Sequence, residues 1–339
     1  MRAFVTGGTG LVGRHLVDAL LGRGWEVAVL TRDPVRGKDL AGRGVELVAG
    51  DVTRPNFAAA MARADVVFHA AGWYEMGVRD VRRMFDINLT GTTNVLAAAR
   101  AEEVPRVVYT STAGVFAPNS MEKPSTESSS VQTVVPDPYV TSKVRAHERA
   151  MAEMRAGLPL TIVMPAAVFG PHDTGQLGRT LALLARDRLK RLPKGFGRNT
   201  WTHAADVAEA HVLAATRGRP GELYLVGDRI LSIVDFYGMA AAAVDVTAPR
   251  ATVPASLVRI VARFAEVGAR FAGRTPLLSR AALDLAAVDI VVDASKARRE
   301  LGWSPRLLED RVRETMRWYS ATYRDRRAAL PVKRGGASA

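Results

Sequence analysis

Short apolar runs alternate with helical patterns through the first half of the chain. Residues 11–20 and 81–99 repeat apolar side chains at helical spacing, and a further helix is predicted to begin at residue 139. The apolar runs, each predicted to form a strand, are residues 3–5, 27–30, 45–48, 65–69 and 106–110. This alternation predicts an α/β fold of the Rossmann type, a doubly wound parallel sheet whose ligands lie beyond the carboxyl ends of its strands.

A glycine-rich turn joins the first predicted strand to the first predicted helix. Its three glycines have the spacing of a dinucleotide-binding turn, which needs a tight bend, close approach of the backbone to a pyrophosphate and close helix packing. The helix that follows presents free N–H groups and a positive dipole end to phosphates. A purely structural strand–helix turn is the alternative. The residues predicted to bind the pyrophosphate are Gly7, Thr9, Gly10, Leu11, Val12 and Gly13.

The tip of the second predicted strand indicates which dinucleotide binds. An acidic side chain there accepts hydrogen bonds from the ribose 2′-hydroxyl of NAD, whereas an arginine neutralises the 2′-phosphate of NADP. Arg32 comes first at this tip, and Asp33 is followed by Pro34, which turns the chain away. The sequence therefore favours NADP(H). NAD(H) is the alternative, if Arg32 is only one more surface arginine.

Two further strand ends carry candidate cofactor contacts. Asp51 and the backbone of Val52 follow the third strand and are expected to meet the adenine edge. Ala70, Ala71 and Gly72 follow the fourth strand, and their small side chains permit close approach of a flat ring or a diphosphate. No metal site is predicted.

The candidate chemistry follows the fifth strand. Residues 117–138 are rich in Pro, Ser and Thr and predict a loop long enough to form a lid or a wall of the substrate site. The next helix opens with Tyr139, and Lys143 lies one turn later on the same face. A nearby ammonium is expected to lower the tyrosine pKa, which suits the phenol to give or take a proton at a carbonyl or carbinol.

The regular alternation ends near residue 170, and a smaller lobe is predicted beyond it. We expect a dinucleotide-binding domain over residues 1–170, with its sheet completed by parts of 200–230, and a mainly substrate-binding lobe over residues 171–323. Helical patterns over 255–290, including Phe264 and Phe271, are expected to pack this lobe or to line an apolar substrate pocket. Residues 324–339 are predicted to be disordered.

Composition excludes several classes of protein. The chain of 339 residues has a formal net charge of +13, but its arginines are dispersed rather than gathered, so nucleic-acid binding is not expected. Cysteine is absent, which excludes disulfides and thiolate chemistry. No apolar run reaches the roughly 18 residues of a membrane span. We expect a cytoplasmic protein that acts on a small-molecule substrate.

With these parts assembled, the chain resembles the extended short-chain dehydrogenase/reductase superfamily. The similarity is greatest to its NAD-dependent epimerase/dehydratase family, in the branch of dihydroflavonol-reductase-like, 3β-hydroxysteroid-dehydrogenase-like and sugar-epimerase-like proteins. The matching segments are residues 6–13, 50–52, 69–71, 88–94, 139–143, 165–171, 201–208 and 293–305. Their order and spacing extend over about nine-tenths of the chain.

The resemblance implies roles for individual residues. Tyr139 would be the acid/base, and Lys143 would hold the ribose and lower the tyrosine pKa. Thr112 is favoured over Ser111 as the hydroxyl that polarises the substrate oxygen, because Phe116 occupies the family's aromatic position four residues later. The remaining cofactor contacts that the resemblance implies are Thr110, Pro165 and Val168. Relatives of this kind also commonly form homodimers through the helices that here contain residues 81–100 and 139–156.

Three functions are compatible with the sequence. The first is an NADPH-dependent aldehyde or ketone reductase, and Arg32 favours it because NADP(H) usually serves net reduction. The second is a nucleotide-sugar epimerase or dehydratase with tightly bound NAD. The third is a protein that senses dinucleotides without catalysis, and the presence of both Tyr139 and Lys143 argues against it.

Overall fold

A computed structural model describes residues 1–78, 80–116, 120–133, 135–271 and 279–324. The tail predicted to be disordered therefore lies, from residue 325 onward, outside the described residues. The elements up to residue 165 are β1 (Arg2–Thr6), α1 (Leu11–Leu21), β2 (Glu26–Thr31), α2 (Lys38–Ala41), β3 (Glu46–Ala49), β4 (Val66–His69), α3 (Val81–Phe85), α4 (Gly91–Ala101), β5 (Val107–Thr110), α5 (Pro138–Arg155) and β6 (Leu160–Pro165). A π-helical turn over Asp86–Thr90 links α3 to α4.

The remaining elements form the second half of the described chain. They are β7 (Ala167–Phe169), α6 (Gln176–Ala185), β8 (Arg191–Pro193), β9 (Arg198–His203), α7 (Ala204–Thr216), β10 (Leu223–Val226), β11 (Arg229–Ser232), α8 (Ile233–Ala242), β12 (Arg250–Val253), α9 (Ala255–Phe271), α10 (Arg280–Ala286) and α11 (Leu308–Tyr323).

A seven-stranded parallel sheet organises the molecule. Its order is β10-β6-β5-β4-β1-β2-β3. Successive strands are therefore added on one side of β1 up to β3 and on its other side from β4 onward, so the strand order reverses between β1 and β4. The five strands predicted from apolar runs all belong to this sheet, which confirms the predicted Rossmann-type architecture. Thr6 and His69 are register partners at the carboxyl ends of β1 and β4, the position where doubly wound sheets bind their ligands.

Helices cover both faces of this sheet, which explains why its strands are apolar on both sides. One buried cluster includes Phe4, Val67 and Met164 and packs beneath residues of α4 and α5. The other includes Val5, Val29 and Phe68 and packs beneath α1 and α7. Burial on two faces removes most of the strand surface from water, and this apolar burial is the main stabilising term of such a core.

Two smaller sheets and a third core lie in the second half. The strands β11, β9 and β7 form one sheet, and β12 pairs with β8. Trp201 stacks on Phe236 with ring centroids 3.7 Å apart. The chain then returns to the main sheet, where Trp303 is buried and its indole nitrogen donates to the Asp206 carbonyl at 2.8 Å. A buried ion pair between Arg311 and Asp206, at 2.7 Å, joins α11 to α7.

Two expectations, one about the 117–138 loop and one about the lobe, are wrong. The described part of the 117–138 loop does not wall the substrate cavity, because it is held against the edge of the sheet: the Glu127 carboxylate accepts from the Leu225 backbone at 2.9 Å. Phe264 does not pack the lobe, because 72% of its surface is exposed. The side chain of Phe271 lies outside the described residues. No helix among those described has the length and apolar content to cross a bilayer.

Candidate active site

The glycine turn between β1 and α1 is built as dinucleotide binding requires. Gly7 has φ +76°, and a Cβ there would lie 2.6 Å from the backbone nitrogen of Ala71. A Cβ at Gly13 would overlap the Gly7 carbonyl oxygen, so α1 can rest on the turn only without a side chain at this position.

The N-terminus of α1 faces a large cavity. Its N-cap residue, Gly10, supplies no side-chain hydrogen bond, so the first backbone N–H groups of α1 are available to a ligand. The cavity has a volume of about 1250 Å³ and begins at these residues. The bare N–H groups and the closely approached glycine backbone fit a dinucleotide pyrophosphate. Arg14, which the sequence did not single out, also lines the cavity and pairs with Asp39.

Most of the residues predicted for the site line this one cavity. Gly7, Arg32, Asp51 and Val52 do not. Those that do are Thr9, Gly10, Leu11, Val12, Gly13, Ala70, Ala71, Gly72, Thr110, Ser111, Thr112, Tyr139, Lys143, Pro165 and Val168.

The tip of β2 presents a cation beyond the cavity. The Arg32 guanidinium is half-exposed and lies 3.8 Å from the Asp51 carboxylate. The Asp33 carboxylate instead accepts from the Val35 backbone at 3.0 Å and caps a short 3₁₀ turn. Asp33 is therefore occupied by the local backbone, whereas Arg32 faces an acidic side chain in solvent.

Two asparagines hold the loops that follow β3 and β4. The sequence indicated them only as members of the matching segment 88–94. The Asn94 side chain donates to the Val52 carbonyl at 2.9 Å. Asn88 is buried, accepts from the Trp73 backbone at 2.7 Å and donates to the Trp73 carbonyl at 3.0 Å and the Ser142 hydroxyl at 2.9 Å. Asn88 thereby ties the loop after β4 to the helix that carries Tyr139.

Three consecutive hydroxyls at the end of β5 have three different partners. The Thr110 hydroxyl is hydrogen-bonded to His211 at 2.7 Å, and the Ser111 hydroxyl to His147 at 3.0 Å. The Thr112 hydroxyl accepts from the Gly114 backbone at 3.1 Å, and it lies close enough to the Tyr139 phenol to lower that phenol's pKa. Of the two hydroxyls that competed for the catalytic role, Thr112 is therefore the one beside the tyrosine, whereas Ser111 is bonded to His147.

Lys143 is placed differently from the expectation. Its buried ammonium donates to the Thr110 carbonyl at 3.0 Å and to the Tyr109 hydroxyl at 3.3 Å. Burial raises the pKa of Tyr139 well above its ordinary value, the neighbouring Tyr74 raises it further, and the nearby Thr112 hydroxyl opposes these effects. The expectation that Lys143 depresses this pKa is wrong, since burial dominates and the ammonium binds other oxygens.

Two further residues orient Tyr139, and the sequence did not reveal them. The Asp137 carboxylate caps α5 by accepting from the Tyr139 backbone at 2.8 Å, and it also accepts from Gly77 at 3.2 Å. The Tyr74 ring meets the Tyr139 ring edge-on with centroids 4.8 Å apart. The role of Asp137 as a helix N-cap could have been predicted, because an aspartate directly before a proline is typical of a helix start. The Tyr74 contact could not, because it depends on a loop 65 residues away in the sequence.

Beyond Tyr139 the cavity is mostly apolar. Its polar groups there include Gln176, Asn199 and a Thr180–Tyr237 hydroxyl pair 2.6 Å apart. Among the described lining residues past the glycine turn and Lys143, Arg191 is the single lysine or arginine. The apolar lining residues are Leu177, Leu183, Leu189, Leu192, Phe196, Trp201, Ile233, Val253, Val258, Leu283, Leu285, Ile290 and Trp318.

Comparison with known proteins agrees with this geometry. A model described as "NAD dependent epimerase/dehydratase family" matches residues 3–227. A putative dihydroflavonol 4-reductase of Synechocystis sp. is 29% identical over 93% of this chain and 94% of its own. A 4-hydroxy-2-methyl-3-oxo-4-farnesyl-3,4-dihydroquinoline-1-oxide ketoreductase of Stigmatella aurantiaca is 29% identical over 94% and 96%. The fold is similar to that of UDP-glucose 4-epimerase from Thermotoga maritima, with a TM-score of 0.77 at 21% identity over 95% and 99%.

Proposed function

The chain belongs to the NAD dependent epimerase/dehydratase family, and on that premise we propose that it is an NADPH-dependent carbonyl reductase with Tyr139 as the proton donor. It is an NAD(P)-dependent enzyme of the extended short-chain dehydrogenase/reductase type. The observation that carries the finer proposal is that Thr112, Tyr139 and Lys143 lie together on the wall of one largely apolar cavity.

The residues that would hold the dinucleotide surround the inner half of the cavity. The free N–H groups of Leu11, Val12 and Gly13 would bind the pyrophosphate, and the guanidinium of Arg32 would bind the 2′-phosphate. Lys143 uses two of its three N–H donors on the protein, which leaves one for a ribose hydroxyl. Pro165 and Val168 would flank the nicotinamide. When bound, the dinucleotide supplies the hydride.

Tyr139 is in the protonation state that a reduction needs. Its buried phenol is protonated at neutral pH, so Tyr139 can donate its proton to the substrate oxygen as negative charge develops there. The Thr112 hydroxyl lines the cavity beside Tyr139 and keeps its own proton for donation, because its oxygen accepts from Gly114, so it can stabilise the substrate oxygen by hydrogen bonding. The Tyr74 ring and the loop held by Asn88 keep the phenol in place.

The cavity also favours an apolar, uncharged substrate. Its volume of about 1250 Å³ exceeds what a nicotinamide and ribose need, and the outer part is lined chiefly by Leu, Val, Ile, Phe and Trp. A nucleotide sugar would bring a diphosphate, which proteins bind with clustered cations, and Arg191 is the one described candidate there. The Stigmatella relative is named for reduction of a farnesylated ketone, which agrees with this substrate class.

A nucleotide-sugar epimerase or dehydratase with bound NAD is the second candidate. Its support is the family description and the fold shared with UDP-glucose 4-epimerase. The two candidates differ in what happens to the cofactor. An epimerase returns the hydride from its bound cofactor to the sugar within one turnover, whereas a reductase releases oxidised cofactor after each turnover. The homodimer through helices 81–100 and 139–156 remains a prediction, which size-exclusion chromatography with light scattering can test.

The test is NADPH oxidation with the purified protein against apolar ketones, apolar aldehydes and nucleotide sugars. We expect oxidation with an apolar carbonyl compound, and a loss of at least about 100-fold in kcat in Tyr139→Phe. Tyr224→Phe is the matched control, since it removes a phenol hydroxyl that binds Glu300 away from the cavity. Release of tightly bound NAD from denatured protein, together with sugar epimerisation and no NADPH oxidation, would refute the reductase proposal.

A further inference from the structure

Helix α9 carries an apolar stripe that the described protein does not cover. Phe264 is 72% exposed, and Leu257, Ile260, Val261 and Val267 are each between 43% and 55% exposed. Their spacing of three and four residues places all five on one face of the helix. Single exposed apolar side chains are ordinary, but a continuous stripe of five on one helix marks a binding surface.

The opposite side of α9 is already used. Val258 and Ala262 are buried and form a small core with Leu283 of α10. The salt bridges Arg259–Asp284 and Arg280–Glu266 hold the two helices together at their polar edge. The exposed stripe is therefore a second apolar face, separate from the face that attaches α9 to the lobe.

A basic strand pair leads directly into this helix. The strands β8 and β12 pair in parallel, and β12 ends two residues before α9 begins. This pair and the residues on either side of β8 carry five exposed cations, of which Lys190 has a described carboxylate partner, Asp187. The five are Arg188, Lys190, Arg191, Lys194 and Arg250.

The same elements form the outer wall of the substrate cavity. Val258 of α9, Val253 of β12 and Leu192 of β8 all line it. The stripe lies on one side of α9 and the cavity on the other. An apolar compound in contact with the stripe would therefore be separated from the cavity by the thickness of this one helix. The basic strands, the apolar stripe and the cavity wall belong to one continuous part of the lobe.

We propose that the α9 stripe and the β8–β12 strand pair dock the enzyme on the surface of an anionic lipid bilayer. The apolar side chains would enter the acyl boundary, and the cations would meet the negative headgroups. A second copy of the chain is a poorer occupant, because both copies would bring the same exposed cations beside the stripe to the contact, in a protein of net charge +13. Entry of an apolar substrate from the lipid into the cavity would follow, and that consequence alone rests on the proposed reductase function.

The test is co-sedimentation of the full-length protein with vesicles. We expect binding to vesicles of phosphatidylglycerol and phosphatidylcholine, weaker binding to phosphatidylcholine alone, and release by added salt. The double variant Ile260→Glu/Phe264→Glu should lower binding to the anionic vesicles by about tenfold or more. Leu307→Glu is the matched control, because Leu307 is equally apolar, is 68% exposed and lies outside α9 and the cavity.

Several outcomes would overturn the proposal. It fails if the wild-type protein stays in the supernatant with anionic vesicles, or if the double variant and Leu307→Glu sediment alike. It also fails if light scattering shows that the double variant turns a dimer into a monomer while no vesicle binding occurs, since the stripe would then contact a second copy. Circular dichroism verifies that the variants are folded. NADPH oxidation with a water-soluble ketone reports on the reductase function separately from vesicle binding.

Discussion

Replacing Arg32 by alanine should weaken NADPH binding and leave NADH binding nearly unchanged. The Arg32 guanidinium stands at the end of β2, half-exposed, where the proposed 2′-phosphate would lie. A hydrogen bond to a charged group contributes about 1.5–3 kcal/mol, and the exposure of Arg32 places it near the lower limit. A loss of about 1.5 kcal/mol corresponds to a roughly tenfold rise in the Kd for NADPH.

Asp51 provides a second, opposite perturbation. Its carboxylate lies 3.8 Å from Arg32 and would repel a 2′-phosphate. Two unit charges about 4 Å apart interact by about 1 kcal/mol in a water-like environment. Asp51→Asn should therefore tighten NADPH binding by up to about fivefold, while its remaining side-chain oxygen can still accept from Thr53 as Asp51 does.

Calorimetric titration of both dinucleotides with wild-type protein, Arg32→Ala and Asp51→Asn measures these effects. The expected order of affinity for NADPH is Asp51→Asn, then wild type, then Arg32→Ala, and wild type and Arg32→Ala should share one affinity for NADH. The reasoning is refuted if wild-type protein binds NADH more tightly than NADPH, or if both substitutions change the two affinities equally.

Three further predictions concern the same site. Thr112→Ala should lower kcat by about tenfold to 100-fold without changing NADPH affinity, because it removes a hydroxyl that lines the cavity beside Tyr139; an impaired Ser111→Ala beside a normal Thr112→Ala would contradict this. Gly13→Ala should destabilise the fold by about 1–3 kcal/mol in chemical denaturation and abolish dinucleotide binding, because its Cβ would overlap the Gly7 carbonyl; unchanged NADPH affinity would contradict it. Three buried imidazoles should cost stability in acid, because burial lowers their pKa from 6.5 to between about 3 and 4 in the folded protein. Unfolded rings take a proton below about pH 6.5 and folded rings do not, so stability should fall from pH 6.5 toward pH 4 by up to ~1.4 kcal/mol per pH unit for each ring. NMR titration should show these rings neutral at pH 5, and protonation near pH 6.5 would contradict the expectation. The rings are those of His69, His147 and His211.

The first half of the fold could be predicted because its signals are local. An apolar run buried on both faces must be a strand of a covered sheet, and the glycine spacing of residues 7–13 follows from the turn geometry alone. Short strands of the second half, such as β8 and β12, were missed, because three or four residues carry no readable period. The strand β10 lies within residues 200–230, where the sequence predicted that the sheet is completed, and its run 224–226 is apolar throughout.

Within the candidate site, the sequence by itself determined which residue types stand near the ends of the strands. The spacing of Tyr139 and Lys143 placed them on one helical face, and the family resemblance favoured Thr112. Only the tertiary structure decided where their polar atoms point. Lys143 binds the carbonyl of Thr110 and the hydroxyl of Tyr109, because β5 passes beneath α5 at this point.

The placement of α9 and of the 117–138 loop was decided almost wholly by tertiary structure. A helical pattern with many apolar residues is the same in sequence whether its second face packs inside the protein or faces outward, so the exposure of Phe264 could not be predicted. The 117–138 loop likewise had no period, and its place at the sheet edge depends on Glu127 meeting Leu225 about a hundred residues later. Local sequence determines which elements form, but burial and side-chain direction depend on contacts between distant parts of the chain.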